Sequence, residues 1–201
     1  MFTDDMCIEI LRQKLKEKRF IHSLNVADEA KRLAIKYGAD PEKAHRAGLL
    51  HDIMKNAPVE EQLDVIIRNG VTPLPIEYKQ PKLFHAIAGA LYVKERGICD
   101  DNEILTAIRY HTTGRAGMSL LEKVIYIADF TSAERDYDGA DIMRRAADVS
   151  LEAAMLEGAR YSICDVSART SVVHPDTVDM YNELLLSGVE KTYAPVIEIN
   201  I

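Results

Sequence analysis

The segment 47–55 (AGLLHDIMK) places a histidine and an aspartate side by side inside an apolar run. A buried imidazole beside a buried carboxylate costs free energy unless hydrogen bonds or a bound ion satisfy both groups. The pair His51-Asp52 therefore restricts the chain to folds that supply partners for it inside the core. A bound metal ion is one such partner, and it would take further ligands from elsewhere in the chain.

Length, composition and charge indicate a folded protein without a basic binding surface. The chain has 201 residues, of which 47% are hydrophobic and 28% are charged, as is typical of a globular protein with one substantial core. We expect a single domain over residues 1–201. The formal net charge of −7 disfavours nucleic acid and anionic membranes as partners, because both attract basic surfaces.

The cysteines and the apolar runs indicate a cytoplasmic protein. Cys7, Cys99 and Cys164 are far apart and lack a CxxC spacing, so the sequence suggests neither a disulfide framework nor a thiolate zinc site. Residues 1–5 are acidic and lack the basic-then-apolar order of a signal peptide. No apolar run approaches the length of a membrane span, so we expect no membrane partner.

Apolar residues recur at helical spacing along most of the chain and predict an all-α fold. Gly38 supplies a stop signal, Asp40-Pro41 a start signal, and Ser119 with Glu122 a capping box. Loops are expected around residue 73, over 112–118 and over 131–140, and the tail 193–201 is left unassigned. We expect helices over about residues 4–18, 20–37, 40–56, 58–70, 81–96, 101–111, 119–129, 140–161 and 175–188.

Four histidines and two aspartates end or interrupt the apolar stripes of these helices. Side chains on such stripes point to where the helices of a bundle meet, and bundles build their metal sites there. Imidazole and carboxylate ligands without thiolates suit iron, manganese, zinc or cobalt. Six ligands exceed what one catalytic ion needs while it keeps a position for water, so we expect a two-metal centre. The six candidates are His22, His51, Asp52, His85, His111 and Asp129.

Two bridged metal ions can supply a nucleophile and neutralise a phosphoryl oxygen together. We expect Asp52 to bridge them. A continuous helix would place Lys55 on the same side as His51, where it can bind a phosphate or stabilise the leaving group. Arg135 is another phosphate candidate. A further phosphate cradle is predicted in the glycine-containing loop, formed by Thr112, Thr113, Gly114 and Arg115.

Simpler interpretations exist for each residue. A single histidine on an apolar face is more often a hydrogen-bonded core residue than a ligand, but four of them together with two acids favour a metal centre. Lys55 can be a solvated lysine that covers the core with its stem. Arg115 and Arg135 can be ordinary surface arginines, and His174, which precedes Pro175, can be a simple turn residue.

These motifs resemble a known family. His22, His51-Asp52 and Asp129 match the pattern of the HD-domain metal-dependent phosphohydrolases, and His85 and His111 match the two extra histidines of members that bind two metals. Segments 47–55, 110–115 and 118–129 are similar to those of the bacterial symmetrical diadenosine tetraphosphatases of this superfamily. The resemblance spans about residues 19–161, the expected core, and leaves about 162–201 as a C-terminal helix and tail.

The resemblance implies an HD-domain helical bundle that carries iron in its core. It implies hydrolysis of a dinucleoside tetraphosphate into two nucleoside diphosphates, through attack of a metal-held hydroxide on an inner phosphorus. It also implies nucleotide contacts by Arg19, Lys55, Arg135 and His174, and His85 is counted among the substrate contacts as well as the ligands. The expected partners are therefore the nucleotide substrate and its product, and a homodimer is left open.

Two alternative functions remain open. Another HD phosphohydrolase would use the same metals on a deoxynucleotide, a nucleoside monophosphate or a signalling nucleotide. A non-enzymatic module would bind a nucleotide or a metal, and substitution of Asp52 by alanine would leave that function intact. Analysis of the products formed from diadenosine tetraphosphate separates these hypotheses.

Overall fold

The computed structural model describes residues 2–137 and 139–192, and the regular structure within them is helical. This confirms the predicted all-α class. A short 3-10 turn, Pro81–Leu83, precedes the sixth helix. The helices are α1 (Asp4–Lys14), α2 (Glu17–Tyr37), α3 (Pro41–Leu50), α4 (Val59–Arg68), α5 (Pro75–Lys79), α6 (Phe84–Glu95), α7 (Asn102–Tyr110), α8 (Leu120–Thr131), α9 (Ala140–Val149), α10 (Leu151–Ala168), α11 (Pro175–Leu186) and α12 (Val189–Thr192). The unassigned tail 193–201 lies outside the described residues.

The predicted start and stop signals are confirmed where they rest on local chemistry. The side chain of Asp40 caps α3 by accepting hydrogen bonds from two backbone N–H groups of its first turn. Ser119 and Glu122 form a reciprocal capping box at the start of α8. Gly38 ends α2 with a φ of +79°, a left-handed conformation that glycine adopts without steric cost.

The prediction of one helix over residues 40–56 is wrong. Helix α3 ends at Leu50, and the following residues form consecutive tight turns in which Ile53 N donates to Leu50 O at 3.1 Å and Lys55 N donates to Asp52 O at 2.8 Å. These three-residue hydrogen bonds change the direction of each side chain relative to a continuous helix. The argument that helical periodicity places Lys55 on the side of His51 is therefore also wrong.

The predicted helix over residues 140–161 is interrupted at Ser150. This residue is extended, with φ −161° and ψ 159°, and its side chain caps α10 by accepting a hydrogen bond from the backbone of Ala153. Serine favours such a capping position because its hydroxyl satisfies an otherwise unpaired N–H group. Two helices, α9 and α10, therefore replace the single one.

One close contact brings α2 and α3 together. A Cβ atom built on Gly48 would lie 2.7 Å from Ala27 Cα and 2.9 Å from Ala27 N. A backbone neighbour at that distance excludes any side chain, so this approach requires glycine at position 48. Ala44 and Ala47 are buried on the same helix. Small residues on this face of α3 thus let α2 approach closely.

A cluster of buried hydrophobic side chains extends from Leu11 on α1 to Leu184 on α11. Its central helix is α8, in which five consecutive residues, 124–128, are fully buried. A helix that is apolar on all sides belongs in the middle of a core. None of the helices in residues 2–137 and 139–192 combines the length and apolar character that a bilayer crossing requires.

Candidate metal centre

The four predicted histidines meet in one buried cluster. His22 lies in α2 and His85 in α6, whereas His51 and His111 directly follow the last residues of α3 and α7. None of the four is more than 4% exposed. Their rings pack edge to face, with centroids 5.2, 4.9 and 5.1 Å apart along the series His22, His51, His111 and His85.

Asp52 lies between two pairs of histidines. Its Oδ2 atom is 3.4 Å from Nε2 of His51 and 3.9 Å from Nε2 of His22. Its Oδ1 atom is 3.1 Å from Nε2 of His85 and 3.5 Å from Nε2 of His111. Each oxygen of one buried carboxylate therefore faces a different pair of imidazoles.

Asp129, near the end of α8, approaches the cluster from the side of His22. Its Oδ1 atom is 3.0 Å from Nε2 of His22. Arg135 donates from Nε to the Asp129 carbonyl oxygen at 2.7 Å and from Nη2 to its Oδ1. Burial opposes ionisation of Asp129, but the contact with His22 and the charge of Arg135 prevail and hold its pKa well below the usual range.

Ligand atoms from these side chains lie close enough together to share an ion. Two groups of three residues have all their ligand atoms within 4.8 Å of one another, and His51 belongs to both groups. Neutral imidazole and ionised carboxylate are the forms that bind metals. The groups are His22, His51 and Asp129, and His51, Asp52 and His111.

Several buried polar atoms of the cluster lack a hydrogen bond of acceptable geometry. Among the described residues these include Nε2 of His22, Nε2 of His51 and Oδ1 of Asp52. Atoms of this kind are costly in a core, and they are the nitrogen and oxygen donors that transition metals prefer. The residues therefore fit a divalent metal ion.

The charges around Asp52 keep it ionised. Burial opposes its ionisation, but the positive potential of His51 and Lys55 prevails and holds the pKa of Asp52 well below its usual range. Burial, reinforced by the charge of Lys55, lowers the pKa of His85 to about 4. Near neutral pH the cluster thus holds an anionic carboxylate beside a neutral imidazole.

Two cations stand at the edge of the cluster. Nη1 of Arg19 donates to Oδ2 of Asp52 at 2.7 Å. Nζ of Lys55 is 3.0 Å from Nε2 of His85 and 3.8 Å from Oδ1 of Asp52. The side chains of Arg19 and Lys55 are 29% and 33% exposed, so both can reach solvent. Lys55 approaches the cluster through the turns that follow α3, not through helical phase.

The predicted phosphate loop divides into two parts. Oγ1 of Thr112 lies 2.9 Å from Nε2 of His111 and 3.2 Å from Nε2 of His85. Thr112 is therefore in contact with the histidine cluster.

The next three loop residues are engaged in packing and pairing. The backbone oxygen of Thr113 accepts a hydrogen bond from Thr177 at 2.8 Å, and buried Gly114 packs against α11 with a φ of +62°. Arg115 donates two hydrogen bonds, of 2.8 and 2.9 Å, to the buried carboxylate of Glu122. The phosphate contacts predicted for these three residues stay predictions.

Comparison with known proteins agrees with this geometry. The HD domain family model matches residues 19–134. The chain belongs to the HD domain family. It is 39% identical over 175 residues to the protein named "Bis(5'-nucleosyl)-tetraphosphatase, symmetrical" from Bacillus subtilis (strain 168), covering 87% of this chain and 94% of that relative. It is 36% identical over 179 residues to the protein of the same name from Halalkalibacterium halodurans, covering 89% and 95%.

A solved structure shares the fold of this HD domain protein. It is described as a predicted HD superfamily hydrolase involved in NAD metabolism from Clostridium acetobutylicum, and the two chains are 38% identical. The TM-score is 0.90, with 93% of this chain and 99% of the other chain covered. The predicted HD-domain bundle is thus confirmed, and this family implies a divalent metal site.

All six predicted ligands lie within the HD domain match, whereas His174 lies outside it. His174 caps α11, is 5% exposed, and its Nε2 is 3.5 Å from Oε1 of Glu77. Glu77 is 2% exposed and accepts a hydrogen bond from Arg109 at 3.1 Å. His174 also lines a cavity of about 190 Å³, whose lining includes Tyr161 and Thr112, the residue that contacts His85 and His111.

Glu134, the last residue of the HD domain match, is a site residue that no sequence pattern marks. Its Oε1 contacts Nδ1 of His22, and its Oε2 accepts a hydrogen bond from Asn25 at 2.6 Å. It lies in a charged loop without periodicity. Its position a few residues after Asp129 is the one signal that could have drawn attention to it.

Proposed function

We propose that this HD domain protein is a metal-dependent hydrolase that cleaves diadenosine tetraphosphate symmetrically into two molecules of ADP. The position of Asp52 carries the proposal, because each of its oxygens faces a separate pair of histidines at the centre of a buried ligand cluster. The substrate is proposed from the relatives, which carry the name of symmetrical bis(5'-nucleosyl)-tetraphosphatases.

We propose that the six side chains of the cluster are the metal ligands. The placement of the Asp52 oxygens supports a bridging role between two ions. The resemblance to the symmetrical tetraphosphatases favours iron, and manganese, cobalt or zinc also suit these donors. When bound, such ions activate water and neutralise phosphoryl charge. The assigned ligands are His22, His51, Asp52, His85, His111 and Asp129.

We propose that Arg19 and Lys55 bind the tetraphosphate group of the substrate. They lie on opposite oxygens of Asp52, and a chain with a net charge of −7 needs local cations to gather a polyphosphate. Lys55 is also placed to stabilise charge on the departing diphosphate. Arg135 is assigned a phosphate contact in addition to its contacts with Asp129.

The cavity beside His174 is assigned to one nucleoside of the substrate. Thr112 connects it to the histidine cluster. Its lining combines apolar side chains, such as Val172 and Val173, with polar ones, such as His174 and Ser162. Pockets of this mixed character orient a ligand through a few polar contacts within an apolar surface.

Product analysis tests the proposal. Metal-free protein reloaded with Fe²⁺ under nitrogen, or with Mn²⁺, is expected to convert diadenosine tetraphosphate into ADP alone. The variant Asp52→Asn, checked for folding by circular dichroism, is the control. Formation of AMP and ATP would contradict symmetrical cleavage, and cleavage of another nucleotide without any ADP from this substrate would favour a different HD phosphohydrolase. Binding without hydrolysis would favour a non-enzymatic module.

A further inference from the structure

The four histidines of the cluster are oriented in two different ways. In His51, His85 and His111, Nδ1 donates to the backbone carbonyl three residues earlier, at 2.7, 2.6 and 2.8 Å. Two of these residues follow helix ends and the third lies in the first turn of α6. Each bond therefore forms together with its own local turn and needs no distant partner.

His22 has no such carbonyl available. It lies inside α2, where the carbonyls of the preceding turn accept the hydrogen bonds of the helix itself. Its Nδ1 instead contacts Oε1 of Glu134, which lies 112 positions later in the chain. A carboxylate accepts hydrogen bonds, so this contact holds a proton on Nδ1 and leaves Nε2 to face Asp129 and Asp52.

Glu134 is itself held in place. Asn25, three residues after His22 on α2, donates to its Oε2 at 2.6 Å, and Ser132 donates to its Oε1 at 2.9 Å. The carboxylate thus spans two side chains on one face of α2. These two hydrogen bonds fix the direction in which its carboxylate faces His22.

We infer that Glu134 is a positioning residue, which orients His22 for metal binding. It thereby couples the loop 132–137 to the pair of histidines, His22 and His51, that faces Oδ2 of Asp52. The inference rests on the proposed role of His22 as a ligand. A carboxylate behind a ligand histidine sets its ring orientation and raises its strength as a ligand, and removal of such a partner typically weakens metal affinity about 10- to 100-fold.

Metal titration of the full chain tests this inference without an activity assay. Metal-free wild type, Glu134→Gln and Glu134→Ala are titrated with Mn²⁺ and with Co²⁺ against a competing chelator, and the visible spectrum of Co²⁺ is recorded at each step. We expect one of the two bound equivalents to weaken about 10-fold in Glu134→Gln, which keeps a neutral acceptor, and up to about 100-fold in Glu134→Ala. The other equivalent keeps its affinity and its spectrum.

The matched control is Asp136→Asn, which removes the same charge from an exposed position of the same loop. It is expected to bind both equivalents as wild type does. Equal losses of metal affinity in Asp136→Asn and Glu134→Gln would overturn the inference, because they would show that the charge of the loop alone affects metal binding. Unchanged titrations in both Glu134 variants, with native circular dichroism, would also overturn it.

The variant His22→Ala separates this inference from the proposed function. Loss of one equivalent in His22→Ala with full binding in the Glu134 variants contradicts the positioning role alone. Full binding in His22→Ala contradicts the proposed ligand set, and the positioning role with it.

Discussion

His85 and His111 reach Asp52 from rings that their own backbone turns hold in place, whereas His22 reaches it from a ring held by a distant loop. The ring orientations of His85 and His111 are therefore set within their own turns. His51, which shares an oxygen of Asp52 with His22, is held in the same local way, so His22 alone needs the loop 132–137 to dock onto α2. The difference shows that one metal centre can combine histidines that are oriented locally with a histidine whose orientation depends on tertiary contacts.

The largest effect is expected from a change at Asp52, the carboxylate that both pairs of histidines share. Asp52→Asn keeps the volume of the side chain but loses the charge and presents an amide N–H₂ group to one pair of imidazoles. We expect kcat/KM for diadenosine tetraphosphate to fall about a thousandfold or more, which corresponds to about 4 kcal/mol. The measurement is steady-state kinetics with Mn²⁺-loaded protein, together with metal content. Activity within tenfold of wild type would contradict a shared, bridging carboxylate.

The next effect comes from forcing apart α2, which carries His22, and α3, which leads into His51 and Asp52. Gly48→Ala would place Cβ 2.7 Å from the backbone of Ala27, so α2 and α3 must move apart. We expect the free energy of unfolding to fall by about 3 kcal/mol, at the upper end for overpacked cores because backbone cannot rotate away. Urea denaturation measures the change.

Gly89→Ala is the matched control for that substitution. Its new Cβ would meet Ile108 Cγ2 at 3.5 Å, an ordinary contact. Alanine also favours a helix interior over glycine by up to about 1 kcal/mol, so this variant is expected to equal or exceed wild type in stability. Similar losses in both variants would show that the approach of α2 to α3 is not what demands glycine at position 48.

A smaller effect tests Glu77, the buried carboxylate that contacts His174 and Arg109. Burial opposes ionisation of Glu77, but the contact with His174, a hydrogen bond from the backbone of Leu74 and the charge of Arg109 keep its pKa below its usual value of 4.5. Glu77→Gln removes this charge, and we expect a loss of about 2 kcal/mol at pH 7.

The sign of the pH dependence follows from the lowered pKa. The unfolded chain takes up a proton on Glu77 at a higher pH than the folded chain, so the stabilisation is complete above about pH 4.5 and decreases as the pH falls through the folded value. The stability difference between wild type and Glu77→Gln should therefore shrink between pH 6 and pH 3 in urea titrations. A difference that stays constant over this range would contradict the assignment.

The smallest effect concerns the loop that orients His22. Arg144 on α9 donates to the carbonyls of Thr131, Ser132 and Arg135, at 3.2, 3.0 and 2.6 Å. Its guanidinium is partly exposed, so we expect Arg144→Ala to cost only about 1 kcal/mol of stability. Hydrogen exchange of amides in the loop 132–135 should accelerate, while exchange in α6 and α7 stays as in wild type. Arg145→Ala, at an exposed neighbouring position, should change neither the stability nor the hydrogen exchange of the loop.

Local chemistry made much of the fold predictable. The capping groups of α3 and α8 and the glycine that ends α2 act through hydrogen bonds and dihedral preferences within a few residues. The tight turns over residues 51–56 could not be predicted in this way. Apolar residues continue through that segment at helical spacing, and a periodicity argument therefore extends the helix to residue 56.

Periodicity and side-chain chemistry operate over short distances, so they were enough to predict an all-helical fold and the set of histidines and aspartates on its inward faces. The packing of the helices sets which pair of histidines each oxygen of Asp52 faces. It also brings Glu134 into contact with His22 from 112 positions away and pairs Arg115 with buried Glu122. Contacts of this kind depend on how helices and loops pack, and no local spacing encodes them.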